Sequence, residues 1–361
     1  MQIMRELKRG RIKEGYKQMK TITLGTTGIT VPQNAFGALP IQRVDLETAV
    51  RLLRGAYDGG MRFFDTARAY SDSEVKMGEA FGTVEGMREK IYISSKTQAT
   101  TPEKFWEDLE TTLKNLKTDY LDIYQFHCVK QCYRPGDGTG MYEAMLQAKE
   151  QGRIRHIGIT AHLIGVAEEI VESGLYETLQ FPFSYLSSER EISLAKRCEE
   201  AGMGYLAMKG LCGGLLTNSE ACMAFMSQYN VLPLWGIQRD SELAEWLSFF
   251  DREVSMTAEI AAFIEEDRKD LSGEFCRGCG YCAPCTVGIQ INNCARMIQL
   301  IRRAPSEGFL SEEWQGLMGK IDDCVDCGLC KTRCPYGLDI PTLLRKNLQD
   351  YREILAGKVT V

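Results

Sequence analysis

A chain of 361 residues is too long for one ordinary core unless that core is a barrel, and a barrel of ~250 residues leaves about a hundred for a second domain. The net charge of -6 comes with no long basic face in the body of the chain, so no nucleic-acid partner is expected; no apolar run nears the ~20 residues of a membrane span and no apolar signal core opens the chain, so the expectation is a cytoplasmic protein off the membrane. Nine of the fourteen cysteines fall between Cys276 and Cys334, and in a reducing compartment such clusters bind metal more often than they form disulfides.

Residues 1-18 are basic, show no helical or strand period, and read as an N-terminal extension. From Thr21 to Val31, alternation about Gly25 to Gly28 predicts a β-hairpin. Strand and helix patterns then alternate. The strands are NAFGAL, MRFFDTA, KIYISSK, YLDIYQFH, IRHIGIT, ETLQFPF, MGYLAMK and VLPLWG, and several of the helices between them open on Ser, Thr or Asp and close at Gly. Eight strands each followed by a helix predict an α/β fold, a closed (β/α)8 TIM barrel over residues 19-252. The rival is a doubly wound open sheet, but no GxGxxG follows the first strand. Residues 253-272 read as a connecting helix and 273-361 as a mainly helical domain. That domain ends in a helix from Ile340 to Leu355, whose stripe of Leu343, Leu344, Leu348, Tyr351 and Leu355 predicts core packing.

Three apolar runs stop at a polar residue where a buried strand opens into a loop: Asp65 with Tyr70 following, Lys96, and His127. A tyrosine titrates near pH ~10, and each unit of lowering needs roughly 1.4 kcal/mol of stabilisation of the phenolate. Lys96 could supply that field and lower the Tyr70 pKa, with Asp65 holding the lysine charged and aimed. Tyr70 would then act as general acid to a carbonyl oxygen, while a neutral His127 hydrogen-bonds and orients the same oxygen.

In order and setting, Asp65, Tyr70, Lys96 and His127 resemble the catalytic tetrad of the aldo/keto reductases, and the MKTITLGTTGITV that begins at Met19 resembles the family's usual opening. The resemblance implies a TIM barrel with its site at the C-terminal ends of the strands, a hairpin plugging the other end, and NADP(H) or NAD(H) lying over the mouth. It points to Thr160 and Gln180 for the carboxamide, and to Lys209, Gly210 and Leu211 with Gly213 and Gly214 for the loop after the seventh strand. Gly236, Gln238 and Arg239 would lie at the adenosine phosphate. The chain departs from the family at Thr160-Ala161, where a Ser-Asn pair is common, and at Trp246, where an asparagine is frequent; His162 follows Ala161 directly.

Two segments of the C-terminal region repeat one another, CRGCGYCAPCTVGIQI from Cys276 and CVDCGLCKTRCPYGLDI from Cys324. The second carries the C-x-x-C-x-x-C-x-x-x-C-P run of bacterial ferredoxins, in which three thiolates grip one cubane and the fourth reaches the other. Crossed in this way, Cys276, Cys279, Cys282 and Cys334 hold one 4Fe-4S cluster and Cys324, Cys327, Cys330 and Cys285 the second, in a ferredoxin-like domain. The first copy has a shorter last gap and Thr286 in place of the proline. Zinc between two C-x-x-C pairs is the competing reading. Cys294 reads as a buried thiol, and Cys128 and Cys132 as loop thiols.

The function expected is reversible NAD(P)H-dependent reduction of an aldehyde or ketone, with a small carbonyl or alcohol as partner and an external electron carrier as another. The alternatives are a cluster-dependent redox enzyme that uses no free nicotinamide, and a non-catalytic electron-transfer protein. A nicotinamide moves a hydride while a 4Fe-4S cluster moves one electron at a time, which sets the two halves apart chemically.

Overall fold

The computed structural model describes residues 19–271, 275–278, 280–303, 306–334 and 336–359. The expected N-terminal extension, Cys279 and Pro335 lie outside the described residues.

Among the described residues ten strands form: β1 (Thr21–Thr23), β2 (Thr30–Pro32), β3 (Ala35–Gly37), β4 (Phe63–Asp65), β5 (Tyr92–Thr97), β6 (Leu121–Phe126), β7 (Ile154–Thr160), β8 (Thr178–Pro182), β9 (Gly204–Met208) and β10 (Val231–Gly236). β1 and β2 pair antiparallel, with Ile22 opposite Val31. β3 to β10 close into a barrel in chain order, every neighbour parallel, with β10 returning to β3. The predicted strands are thus all present, because parallel barrel strands are covered on both faces and read as near-continuous apolar runs.

The helices over the barrel are α1 (Leu46–Asp58), α2 (Ser73–Met77), α3 (Pro102–Leu116), α4 (Met141–Glu150), α5 (Ile164–Ser173), α6 (Glu189–Glu200), α7 (Ser219–Met226) and α8 (Asp240–Ser248). Their starts follow the capping chemistry: Asp45 accepts from the Thr48 amide, Thr101 from Lys104, and Ser188 from Glu191. The hairpin shuts the mouth at the strands' N-terminal ends. Ile22, Leu24, Ile29 and Val31 pack there with Phe63, Ile123, Leu206 and Leu232. Gly25 must be glycine, since its φ is +51° and a Cβ would lie 2.2 Å from the Gly202 carbonyl oxygen.

Beyond the barrel come α9 (Ala258–Asp270), α10 (Ile291–Cys294), α11 (Met297–Arg303), α12 (Glu312–Gly319), α13 (Leu329–Arg333) and α14 (Ile340–Leu355). α9 is pinned to the loop after β8, where Asp267 accepts from the Tyr185 hydroxyl and Arg268 donates to the Tyr185 carbonyl at 2.7 Å. On α14 the stripe buries Leu343, Leu344, Leu348 and Tyr351 as expected, but Ile354 and not Leu355 completes it. Leu355 is the last helical residue and is exposed. Asn347 ties the helix to the cysteine region, accepting from the Ile298 amide at 2.8 Å and donating to the Ala295 carbonyl at 3.3 Å.

Candidate active site

The register of the parallel strands brings the polar strand ends together. Asp65 lies across from Ser94 on β5, Lys96 across from Gln125 on β6, and His127 is the first residue past β6. The Lys96 ammonium donates to both carboxylate oxygens of Asp65 at 2.7 Å and to the Thr66 carbonyl at 2.6 Å, and lysine and aspartate are both buried. It stands 5.3 Å from the centre of the Tyr70 ring, which meets the His127 ring edge-on with centroids 5.7 Å apart. The four residues singled out in the sequence therefore converge at the C-terminal mouth. His127 is held by its backbone, its amide donating to the Thr97 carbonyl at 2.8 Å before the chain turns left-handed at Cys128.

The electrostatics correct one expectation. Loss of solvent around the Tyr70 phenol, with the charges of Asp65 and Cys128, holds its pKa well above the ordinary tyrosine value; Lys96 does not lower it. The reason is geometric. The ammonium directs its N–H groups to Asp65 and Thr66, and the Asp65 carboxylate adds its own charge to the rise. Burial drives Asp65 up against the pull of Lys96, and drives Lys96 down against the pull of Asp65. Loss of solvent and the Lys96 charge depress His127 to about 3, so its imidazole is neutral near pH 7, as expected, and its Nδ1 is buried without a partner.

Inside the barrel a chain of amides supports the pair: Gln125 donates to Ser94 Oγ and to Gln180 Oε1, each at 2.8 Å, and Gln180 Nε2 lies 3.4 Å from Asp65 Oδ2. Gln125 was not among the candidates. Alternation along LDIYQFH signals it, since Ile123, Gln125 and His127 share the inward face.

Of the residues expected at the nicotinamide, Thr160 ends β7 and accepts from the Cys128 amide at 2.7 Å, and Gln180 is engaged as above. Lys209, Gly210 and Leu211 make a tight turn after β9, Lys209 at φ +59° with its carbonyl accepting from the Cys212 amide at 2.8 Å. Gly236 ends β10, and the amides of Gln238 and Arg239 both donate to the Glu242 carboxylate, at 2.9 and 3.1 Å. A phosphate at those amides would have to displace Glu242. Trp246 is a core residue, stacked on Trp235 with centroids 3.8 Å apart. His162 is buried with Nδ1 unpartnered, and its ring meets that of Tyr281 at 5.2 Å.

In the cysteine region, Cys285, Cys324, Cys327 and Cys330 line one pocket, together with Cys282 and apolar groups that include Val287, Ile289 and Leu344. The first four are the set that crossing of the sequence repeat assigns to one cluster, Cys282 belongs to the other set, and thiols beside apolar groups suit an iron-sulfur cubane. Cys276 and Cys282 of the other set are buried and Cys334 is half-buried. Every described cysteine is free of disulfides. Among the described residues no three His, Cys, Asp or Glu groups close on one point, as a single zinc ion bonded to sulfur at ~2.3 Å would need. Cys294 is buried, its thiol 3.7 Å from the Leu317 carbonyl.

Comparison with known proteins agrees with this geometry. Residues 21–244 match the aldo/keto reductase family, and residues 275–339 match the 4Fe-4S dicluster domain. The chain is 28% identical over 216 residues to the aldo-keto reductase YhdN of Bacillus subtilis, covering 55% of this chain and 64% of that protein. It is also 28% identical over 214 residues to the methylglyoxal reductase DkgB of Salmonella typhimurium, covering 57% and 76%. Among solved structures, the holo form of aldo-keto reductase AKR11C1 from Bacillus halodurans superposes with a TM-score of 0.60 at 20% identity, over 69% of this chain and 96% of that one. An aldo-keto reductase of Klebsiella pneumoniae in complex with NADPH gives 0.57 at 21%, over 69% and 95%. No helix among the described residues is long and apolar enough to cross a membrane.

Proposed function

Since the chain belongs to the aldo/keto reductase family and carries a 4Fe-4S dicluster domain behind its barrel, we propose that it catalyses reversible NAD(P)H-dependent reduction of an aldehyde or ketone, within a two-cluster redox protein of the cytoplasm. The observation that carries this reading is the meeting of Tyr70, Lys96, Asp65 and His127 at one mouth of the barrel. When bound, a nicotinamide supplies the hydride. Tyr70, kept protonated, gives its phenolic proton to the carbonyl oxygen. Lys96 then faces the phenolate, Asp65 keeps Lys96 in place, and neutral His127 donates a hydrogen bond that orients the carbonyl. Thr160 and Gln180 would hold the nicotinamide carboxamide, the loop from Lys209 to Leu211 after the seventh barrel strand would meet the cofactor phosphates, and Gly236, Gln238 and Arg239 would hold the adenosine end once Glu242 turns away.

The barrel is assigned to residues 19-252, a connecting helix to 253-272 and the iron-sulfur domain to 273-361. Cys276, Cys279, Cys282 and Cys334 are assigned to one 4Fe-4S cluster, and Cys285, Cys324, Cys327 and Cys330 to the other. The clusters supply one-electron chemistry, which suits an external electron carrier as partner.

A second reading is favoured by Glu242, whose carboxylate already takes the amides a cofactor phosphate would use. It is a cluster-dependent oxidoreductase without free nicotinamide. Titration of NADPH fluorescence against the anaerobically purified protein separates the two, with methylglyoxal, the substrate in the name of one relative, as first probe. Saturable binding and oxidation of NADPH support the reductase, and no binding supports the second reading.

A further inference from the structure

Arg296 is a buried cation that no carboxylate of the described residues pairs with. It follows α10 at 8% exposure, donates from Nη1 to the Cys212 carbonyl of the barrel at 3.0 Å, and keeps Nε buried without a partner. The nearby Glu191 pairs with Arg277 at 3.4 Å, and among the described residues no Asp or Glu pairs with Arg296. A guanidinium buried this way is costly unless some negative charge answers it.

Two glycines make room for it between the barrel and the first cysteine run. A Cβ on Gly213 would lie 2.5 Å from its Nη1, and a Cβ on Gly278 would lie 2.8 Å away. Gly278 in turn donates its amide to Cys276 Sγ at 3.4 Å. The guanidinium thus lies on the loop that presents Cys276. A 4Fe-4S centre held by four thiolates is anionic, and one-electron reduction adds a further negative charge without making or breaking a bond to the protein.

We propose that Arg296 is a positioning residue and the charge partner of the cluster held by the first cysteine run, setting its reduction potential while clamping that run to the Cys212–Gly213 loop of the barrel. The proposal rests on Cys276 being a cluster ligand. Electrons enter from an external donor, and the guanidinium favours the more negative, reduced form. The same loop is the one assigned above to the nicotinamide cofactor, so the cluster's charge and the barrel mouth share one side chain.

The test is a mediated potentiometric titration with dithionite, followed by electron paramagnetic resonance, on the full anaerobic chain and its Arg296→Gln variant, with iron and sulfide counted in both. The expected result is full loading, one cluster shifted to more negative potential by about tenfold in its reduction equilibrium, which is about 59 mV for one electron, and the other cluster unmoved. Arg296→Lys, which keeps the charge, should stay near the wild-type potential; it decides the matter if the Gln variant does not load. Two loaded clusters at wild-type potentials in Arg296→Gln, or a Lys variant displaced as far as a neutral one should be, would overturn the role of Arg296. A wild-type chain without iron would instead remove the cysteine assignment beneath it.

Discussion

The Lys96 ammonium sits 2.7 Å from each carboxylate oxygen of Asp65, with both groups out of solvent. Removing one partner of such a pair leaves the other as an uncompensated buried charge, at a cost of about 3–5 kcal/mol. Asp65→Asn should therefore lower the barrel's thermal unfolding midpoint by about 10 °C and abolish most turnover. Calorimetry at matched cluster loading checks this, and an unmoved midpoint would mean that Lys96 is not held as an ammonium by Asp65.

His127 and His162 are both depressed to about 3 by loss of solvent, with Lys96 and Lys209 respectively adding to it. In the unfolded chain both titrate near ~6.5, so between that value and about 3 the unfolded state binds more protons. Stability should be full above pH ~6.5 and fall as pH drops through that window. The Tyr70 phenol, raised by its surroundings, should remain a proton donor past pH ~10. The pH profile of kcat/KM for reduction should then show no histidine inflection between pH 5 and 8; an inflection near ~6.5 that disappears in His127→Gln would contradict a neutral His127.

Cys285 lies in the first cysteine run yet lines the pocket of Cys324, Cys327 and Cys330. Cys285→Ala and Cys324→Ala should each reduce iron from about eight to about four atoms per chain, and the double variant should lose no more than either alone. Loss of all iron in the double variant would show that the two cysteines serve different clusters.

Glu242 occupies the amides of Gln238 and Arg239 with a carboxylate. A dinucleotide bearing an extra phosphate there meets like charge, so Glu242→Gln should tighten NADPH by about tenfold while changing NADH little. Equal gains for both cofactors in a fluorescence titration would place the phosphate elsewhere.

The barrel was legible because each strand is an apolar run, and the four site residues because each lies at or just past the point where such a run ends. What was not legible depends on partners distant in sequence. The direction of the Tyr70 shift follows first from loss of solvent around the phenol, while the Lys96 ammonium is engaged by Asp65 and by the Thr66 carbonyl, which no side-chain pattern announces. Gln125 matters because Gln180 reaches it across 55 residues, and Arg296 because Cys212 lies 84 residues away. At the helix end, stripe periodicity treats Ile354 and Leu355 as near equals, and only the packed structure separates the buried one from the exposed one.

The central claim is that Tyr70 donates the proton, and its most direct test is turnover of the α-oxoaldehyde probe by Tyr70→Phe beside NADPH affinity in the same preparation. A fall of about 10³ in kcat, with the NADPH Kd unchanged within about twofold, is the predicted result. A Tyr70→Phe protein that turns over at the wild-type rate would contradict it.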